Sequence, residues 1–388
     1  MLHLISNANV FAPAPMGICH ILIAGGVVIF IGAKRPQLDA ALDVAEVDLD
    51  GATVIPGIID AHAHITGGGG ESGPASRVPP VELSKFTRFG VTSVVGVLGT
   101  DDLTRNTQTL VTQAYGLREE GLSAWCHTGG YHYPLTTLTG SARSDIVNID
   151  PIIGVGEFAL SDHRSSQPTS EEFLRVASEA HVAGLMTGKA GIVHCHLGDG
   201  KRGLDLLRAA IDQSEIPARV FNPTHVNRNK ALFEEGLALT KLGCTIDLTA
   251  FPNDHVSQGY SAADAFLRYQ KAGLASRYLT ISSDGGGCLP TFDAEGTLTQ
   301  MGIGRSSTLM ETLKELADHG VPLEIILPAL TSNIADLLRF SKKGRLELGN
   351  DADLVVLDDQ FEVKDVMAMG KWHVRDGRAI IVGTYEKS

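Results

Sequence analysis

Hydrophobic and polar positions change their rhythm twice along this chain. Residues 1–53 alternate short apolar runs with turn residues: HILIA, a Gly25-Gly26 break, VVIFIG, then VAEVDLDG. That alternation predicts a small β unit, with Ile21 to Ile31 folding back as a hairpin. From Val54 onward, apolar runs alternate with longer, charged stretches. The runs are TVIPGIID, VTSVVGVLG, LSAWCHTGG, IIGVGEFAL, GIVHCH, VFNPTH, CTIDLTA and YLTISSD. Strands covered on both faces, as in a parallel sheet, read this way. Between them lie helix-like stretches such as SEEFLRVASEAHVAGL, GLDLLRAAIDQ, KALFEEGLALTKLG and AADAFLRYQKAG. Ser170 is placed to cap the first of these, and several end at or near glycine. Eight such units in series predict an α/β fold, a (β/α)8 TIM-type barrel over residues 54–343. Two more helical stretches, TLMETLKELADHG and LEIILPALTSNIADLLRF, precede a return of β alternation from Gly344. Residues 344–388 are expected to pair with residues 1–53 in a small β-sandwich domain built from both termini.

Composition narrows the partners. The 388 residues suffice for a barrel with an accessory domain, and 43% hydrophobic content supports a large core. A formal net charge of −13 argues against nucleic acid and acidic membrane surfaces as partners. Cys19, Cys126, Cys195, Cys244 and Cys288 are odd in number and form no C-x-x-C pair. Neither a disulfide framework nor a thiolate zinc site is expected, and a reducing compartment fits better. The start of the chain has no basic region followed by a small-residue cleavage site, and its apolar segment is too short to span a bilayer. A cytoplasmic location is the expectation.

Chemistry concentrates at the ends of the predicted strands, where barrels of this class carry their active sites. The first run ends in His62-Ala63-His64. Residues two apart on a strand share a face, roughly 6.6 Å apart, so both imidazoles can reach one ion. A glycine run, Gly67 to Gly70, follows and closes on Glu71. The third run ends near Tyr131 and His132, and the fourth carries Glu157 with Asp162, His163 and Arg164 after it. The fifth ends in His196, the sixth in His225 with Arg228 beyond, and the eighth in Asp284 before a second glycine run. Any one of these histidines alone reads as a core residue. Four histidines and two carboxylates together suit a pair of borderline-soft divalent cations. His194 reads as core or outer support, His132 and His163 as flanking residues, and Lys189 as a loop lysine. The Gly67–Gly70 run lacks the helix-opening Lys-Ser/Thr of a phosphate cradle.

The motifs PGIIDAHAH, SSDGGG and GNDADLVVLD, with single histidines ending runs five and six, resemble the amidohydrolase superfamily. Within it, GGGGESGP, VTSVVGVLGTD, SDHRS and PTHVNRN are similar to the isoaspartyl dipeptidase family, whose members cleave β-aspartyl dipeptides. The resemblance covers essentially the whole chain. It implies two divalent ions, zinc by expectation, with His62, His64 and Asp284 on one and His196 and His225 on the other. It implies that Tyr131 polarises the scissile carbonyl and that Asp284 moves a proton from a bridging hydroxide to the leaving amine. It places Glu71, Arg164 and Arg228 on the charged ends of a small dipeptide and implies a homo-oligomer, with an octamer expected.

Two departures from the family pattern stand out. Relatives commonly bridge their metals with a carboxylated lysine on the fourth strand, where this chain has Glu157. Glutamate is shorter than a lysine carbamate, and GVGE is one residue longer than the family spelling, as a compensating bulge requires. Cys288 stands where the family tends to have a substrate-binding serine. The competing readings are a hydrolase of cyclic or N-acyl amides (dihydroorotase, hydantoinase or acylase type) and a barrel serving only as a scaffold.

Overall fold

The computed structural model describes residues 2–252, 258–292 and 298–387. Five strands open the chain: β1 (Leu2–Phe11), β2 (Pro15–Ala24), β3 (Val27–Gly32), β4 (Val44–Asp48) and β5 (Thr53–Pro56). β1 runs antiparallel to β2 and parallel to β4 and β5, and β2 and β3 form the expected hairpin across Gly25-Gly26. Eight short strands then line the barrel: β6 (Ile58–Ala63), β7 (Val91–Gly96), β8 (Ser123–Thr128), β9 (Ile152–Leu160), β10 (Val193–Leu197), β11 (Phe221–Thr224), β12 (Ile246–Thr249) and β13 (Leu279–Ser282). Helices alternate with them: α1 (Ser84–Thr87), α2 (Thr107–Glu119), α3 (Ala142–Asn148), α4 (Ser170–Thr187), α5 (Asp205–Asp212), α6 (Lys230–Thr240) and α7 (Ala262–Lys271). An antiparallel hairpin follows, β14 (Cys288–Phe292) with β15 (Leu298–Ile303), and then α8 (Ser307–Asp318), α9 (Leu323–Leu330) and α10 (Ser332–Leu338). The chain ends in β16 (Leu354–Leu357), β17 (Val363–Ala368), β18 (Lys371–Arg375) and β19 (Arg378–Ala379).

The fold is a (β/α)8 barrel joined to a β domain. Strands β6 to β11 form one parallel sheet and β12 and β13 a second. Backbone bonds close the ring on both sides: Asp284 N to the His62 carbonyl at 3.1 Å, His64 N to the Gly285 carbonyl at 2.7 Å, and Val226 N to the Asp247 carbonyl at 3.4 Å. In the β domain, β16 lies antiparallel to β5 with Val355 opposite Ile55, so strands from both ends of the chain share one sheet. Lys343, buried between the two parts, places its ammonium 2.7 Å from Ser123 Oγ on β8 and 2.7 and 2.8 Å from the Asp353 and Asp351 carboxylates.

Local chemistry explains the elements and their departures from the sequence pattern. TVIPGIID is two strands, not one. It breaks at Gly57, where a side-chain carbon would lie 2.1 Å from Thr92 Oγ1, so only glycine lets the chain pass from one sheet to the other. The cap of α4 is Thr169 rather than Ser170. Its hydroxyl accepts from Glu172 N while the Glu172 carboxylate accepts from Thr169 N, a reciprocal capping box. LEIILPALTSNIADLLRF is also interrupted: Thr331 leaves helical geometry and bonds its hydroxyl to the Leu327 carbonyl at 2.6 Å, dividing α9 from α10. Aromatics pack α4 onto the barrel wall: Phe173 of α4 stacks on Phe158 of β9 and tilts against Phe221 of β11. Among the described residues no helix is long and apolar enough to cross a membrane.

Candidate metal centre

Ring closure brings the metal-ligand candidates together. The bonds that join β13 to β6 set His62, His64 and Asp284 side by side, and the pairing of His196 with Thr224 sets His196 beside His225. His225 and Asp284 both adopt left-handed backbone, at φ 61° and 53°. Residues other than glycine rarely do so, and a strained backbone of this kind at a strand end is a mark of a functional site. On β9 the register against β10 shifts between Val155 and Phe158, so that Gly156 and Glu157 together face His194. This bulge swings the Glu157 carboxylate to the middle of the cluster.

Glu157 is 1% exposed and touches all four histidines. Its Oε2 lies 3.4 Å from His62 Nε2, 3.1 Å from His196 Nδ1 and 3.2 Å from His225 Nε2, and its Oε1 lies 3.5 Å from His64 Nε2. Asp284 Oδ1 is 3.1 Å from His64 Nε2 and 3.5 Å from His62 Nε2. Two sets of ligand atoms lie within 4.8 Å of one another, His62 with His64 and Asp284, and His62 with Glu157 and His225. The second set contains His62 where the sequence resemblance implies His196. The His196 ring is engaged elsewhere, with Nε2 3.0 Å from Asp162 Oδ2 and Nδ1 2.9 Å from the Tyr131 hydroxyl.

The residues fit a divalent cation. His62 Nε2 and Asp284 Oδ1 are buried atoms without a hydrogen-bond partner, an arrangement that costs stability unless something else binds there. Burial opposes ionisation of Glu157, yet His62 and His196 outweigh it and hold the carboxyl well below the usual carboxylate range. Burial likewise opposes ionisation of Asp284, and the close approach of His62 and His64 brings its pKa down. Burial resists charging His62, but Glu157 and Asp284 lift its pKa to about 9, while burial pushes His225 down to about 3. A dication would displace the proton the two carboxylates otherwise attract to His62.

Beside this cluster lies a line of charged groups. Arg164 donates to Asp162 from its backbone at 2.8 Å and from its guanidinium at 2.8 and 3.1 Å, and pairs with Glu71 at 3.2 Å. The guanidinium sits 5.5 Å over the Tyr131 ring. Burial, reinforced by Glu157, keeps the Tyr131 phenol protonated well above its ordinary range. Arg228 donates to the Leu197 carbonyl at 2.6 Å and faces Asp199 at 3.4 Å. Cys288 lies at the glycine run, its Cβ 3.4 Å from where a side-chain carbon on Gly69 would stand. Burial, with Glu71 and Asp284 nearby, pushes its thiol up to about 12, so it stays neutral.

Several supporting residues carry no sequence signal. Arg105 donates to the carbonyls of Thr66, Gly69 and Val78 and so holds the glycine run in place, but nothing in GTDDLTR announces it. Asp162 couples His196 to Arg164, and only its position between Glu157 and Arg164 hints at that. Of the residues read as secondary, His132 bridges Asp102 and the Arg164 carbonyl, His163 is exposed, and Lys189 donates to the carbonyls of Ile146, Ile149 and Ile152.

The Amidohydrolase family matches residues 140–373. A β-aspartyl dipeptidase from Fervidobacterium islandicum AW-1, solved in complex with the β-Asp-Leu dipeptide, is 41% identical, with 98% of this chain and 97% of that chain covered and a TM-score of 0.93. A second structure of the β-aspartyl dipeptidase from that organism gives 40% identity, 98% coverage of both chains and a TM-score of 0.90. A deacetylase of Brucella anthropi is 23% identical over 84% of this chain and 77% of its own length.

Proposed function

The chain belongs to the amidohydrolase family, among its β-aspartyl dipeptidases, and from that premise we propose that it hydrolyses β-aspartyl dipeptides at a binuclear metal centre. The observation that carries this reading is the Glu71–Arg164–Asp162 line of charge set against the buried Glu157 cluster. In this reading His62, His64 and Asp284 would hold one ion and His196 and His225 the other, with the Glu157 carboxylate available between them. Two divalent ions, zinc by expectation, would lower the pKa of the attacking water to about 7 and supply Lewis acidity at the scissile carbonyl when bound. Asp284 accepts a proton from the attacking water and passes it to the leaving amine. The protonated Tyr131 phenol donates to the oxygen that becomes negative at the reacting carbon.

The charged line selects the substrate. In the free protein Glu71 and Arg164 neutralise each other. A β-aspartyl residue presents an α-ammonium and an α-carboxylate together, so it can replace that pair without leaving either charge alone: the ammonium meets Glu71 and the carboxylate meets Arg164. Arg228 is left for the carboxylate of the departing residue, and guanidinium forks suit that task. A hydantoin or dihydroorotate ring brings no ammonium to Glu71 and so forgoes that charge-assisted bond.

The test is a comparison of rates on β-Asp-Leu, α-Asp-Leu and dihydroorotate. We expect kcat/KM on the β-linked isomer to exceed the other two by at least about a thousandfold. Equal rates on the two Asp-Leu isomers would refute the β-aspartyl reading and leave a less selective hydrolase. No turnover of any amide by metal-loaded protein would favour the scaffold reading.

A further inference from the structure

The layer of the barrel beneath the metal candidates carries polar side chains to which the chemistry above assigns no task. His194 lies two residues before His196 on β10 and is 1% exposed. Its Nε2 is 2.8 Å from His62 Nδ1, and its Nδ1 is 2.7 Å from Asn222 Oδ1. Asn222 is its register partner across β10 and β11. The direction of each bond follows from the far end of this chain. The Thr245 carbonyl can only accept, so the Asn222 amide nitrogen, 2.8 Å away, donates to it. The Asn222 oxygen therefore faces His194, and His194 Nδ1 carries the hydrogen. The ring is buried, its Nδ1 meets a neutral amide and its Nε2 another imidazole, and among the described residues no carboxylate lies within ion-pair distance of it, so it carries a single hydrogen. Its Nε2 is then a lone pair, and His62 Nδ1 donates to it. His127 packs nearly flat against the His194 ring, with centroids 5.7 Å apart and planes 15° from parallel.

We infer that Asn222 and His194 are positioning residues that lock His62 in the tautomer whose Nε2 lone pair points toward Glu157 and Asp284. The inference rests on the metal reading above, because that lone pair is what a divalent ion would require of His62. Metal-binding histidines usually donate their second N–H to a carboxylate, a carbonyl or water. Here the acceptor is a neutral imidazole, whose own tautomer is set by a backbone carbonyl two bonds further on. The arrangement orients His62 without adding another negative charge beneath Glu157 and Asp284.

Two measurements on the full-length protein test it. Long-range 1H–15N correlation of zinc-loaded protein carrying 15N-histidine should show His194 protonated at Nδ1 and His62 protonated at Nδ1. Competition against a chromophoric chelator should show that His194→Leu weakens zinc binding about ten- to a hundredfold. His194→Gln, whose carbonyl can accept from His62 Nδ1, should recover most of that loss, and Asn222→Leu should fall between. A hydrogen on His194 Nε2, or wild-type affinity in His194→Leu, overturns the inference. If His194→Leu does not fold, the wild-type spectrum decides alone. Failure of the wild-type protein to take up zinc overturns the metal reading instead, and the His194 tautomer is still read in the same sample.

Discussion

Asp247 on β12 and Glu157 on β9 are both fully buried carboxylates inside one barrel, yet their surroundings differ. Asp247 accepts from three neutral hydroxyls, Thr224 and Thr280 at 2.7 Å and Ser282 at 2.5 Å. Burial lifts its pKa above the ordinary carboxylate range, and those bonds offset only part of the rise. Glu157 faces four imidazoles, has no hydroxyl partner among the described residues, and is driven the other way. Asp247 pins β11, β12 and β13 where the backbone ladder is thin. The cluster around Glu157 has buried atoms with nothing to bond, so its geometry fits an absent charge rather than the protein itself. Burial alone does not mark a functional acid; what surrounds the acid does.

The contrast can be broken from the Glu157 side first. Prolonged chelation should abolish activity, and zinc should restore it without bicarbonate, because Glu157 is already a carboxylate and needs no carbon dioxide. Metal-free protein with full activity would contradict this. Glu157→Ala should lower the bound metal from about two ions per chain and reduce kcat/KM by about a hundred- to a few thousandfold, the scale of removing one partner from a buried charge cluster. Metal analysis and kinetics of the variant check both points.

Smaller effects sharpen it. Glu71→Gln keeps the shape but removes the charge that faces the substrate ammonium. It should erode the preference for β-Asp-Leu about ten- to a hundredfold and leave metal content unchanged. Asp247→Asn should do the reverse of Glu157→Ala, leaving metal content intact and costing about 1–3 kcal/mol in urea unfolding. Because the folded Asp247 binds its proton more tightly than the unfolded chain does, its contribution to stability declines as pH rises above about 4. Asp247→Asn should flatten that decline, and unfolding curves across pH would show it.

The barrel was legible because its strands are largely apolar runs that end in a polar residue, as in VHCH, NPTH and ISSD. The Glu157 bulge was legible for a related reason: an extra residue in a strand has to go somewhere. What could not be read depends on contacts distant in sequence. The break at Gly57 is set by Thr92, the role of Arg105 by carbonyls at 66, 69 and 78, and the task of Asn222 by the Thr245 carbonyl. The short helices α1 and α3 and the β14–β15 hairpin span too few residues to establish a period.

The pairing of β5 with β16 also bears on how the protein is made. Thr53 lies opposite Leu357 and Pro56 opposite Leu354, so that ladder closes across roughly three hundred residues of intervening chain. During synthesis β1, β2 and β3 can pair as they emerge, but one edge of β5 stays open until Leu354 to Leu357 leave the ribosome. Contacts of such long range form late and slowly. The β domain is therefore completed after the barrel strands, and until then a nascent chain with those strands already synthesised exposes an unpaired strand edge to its neighbours.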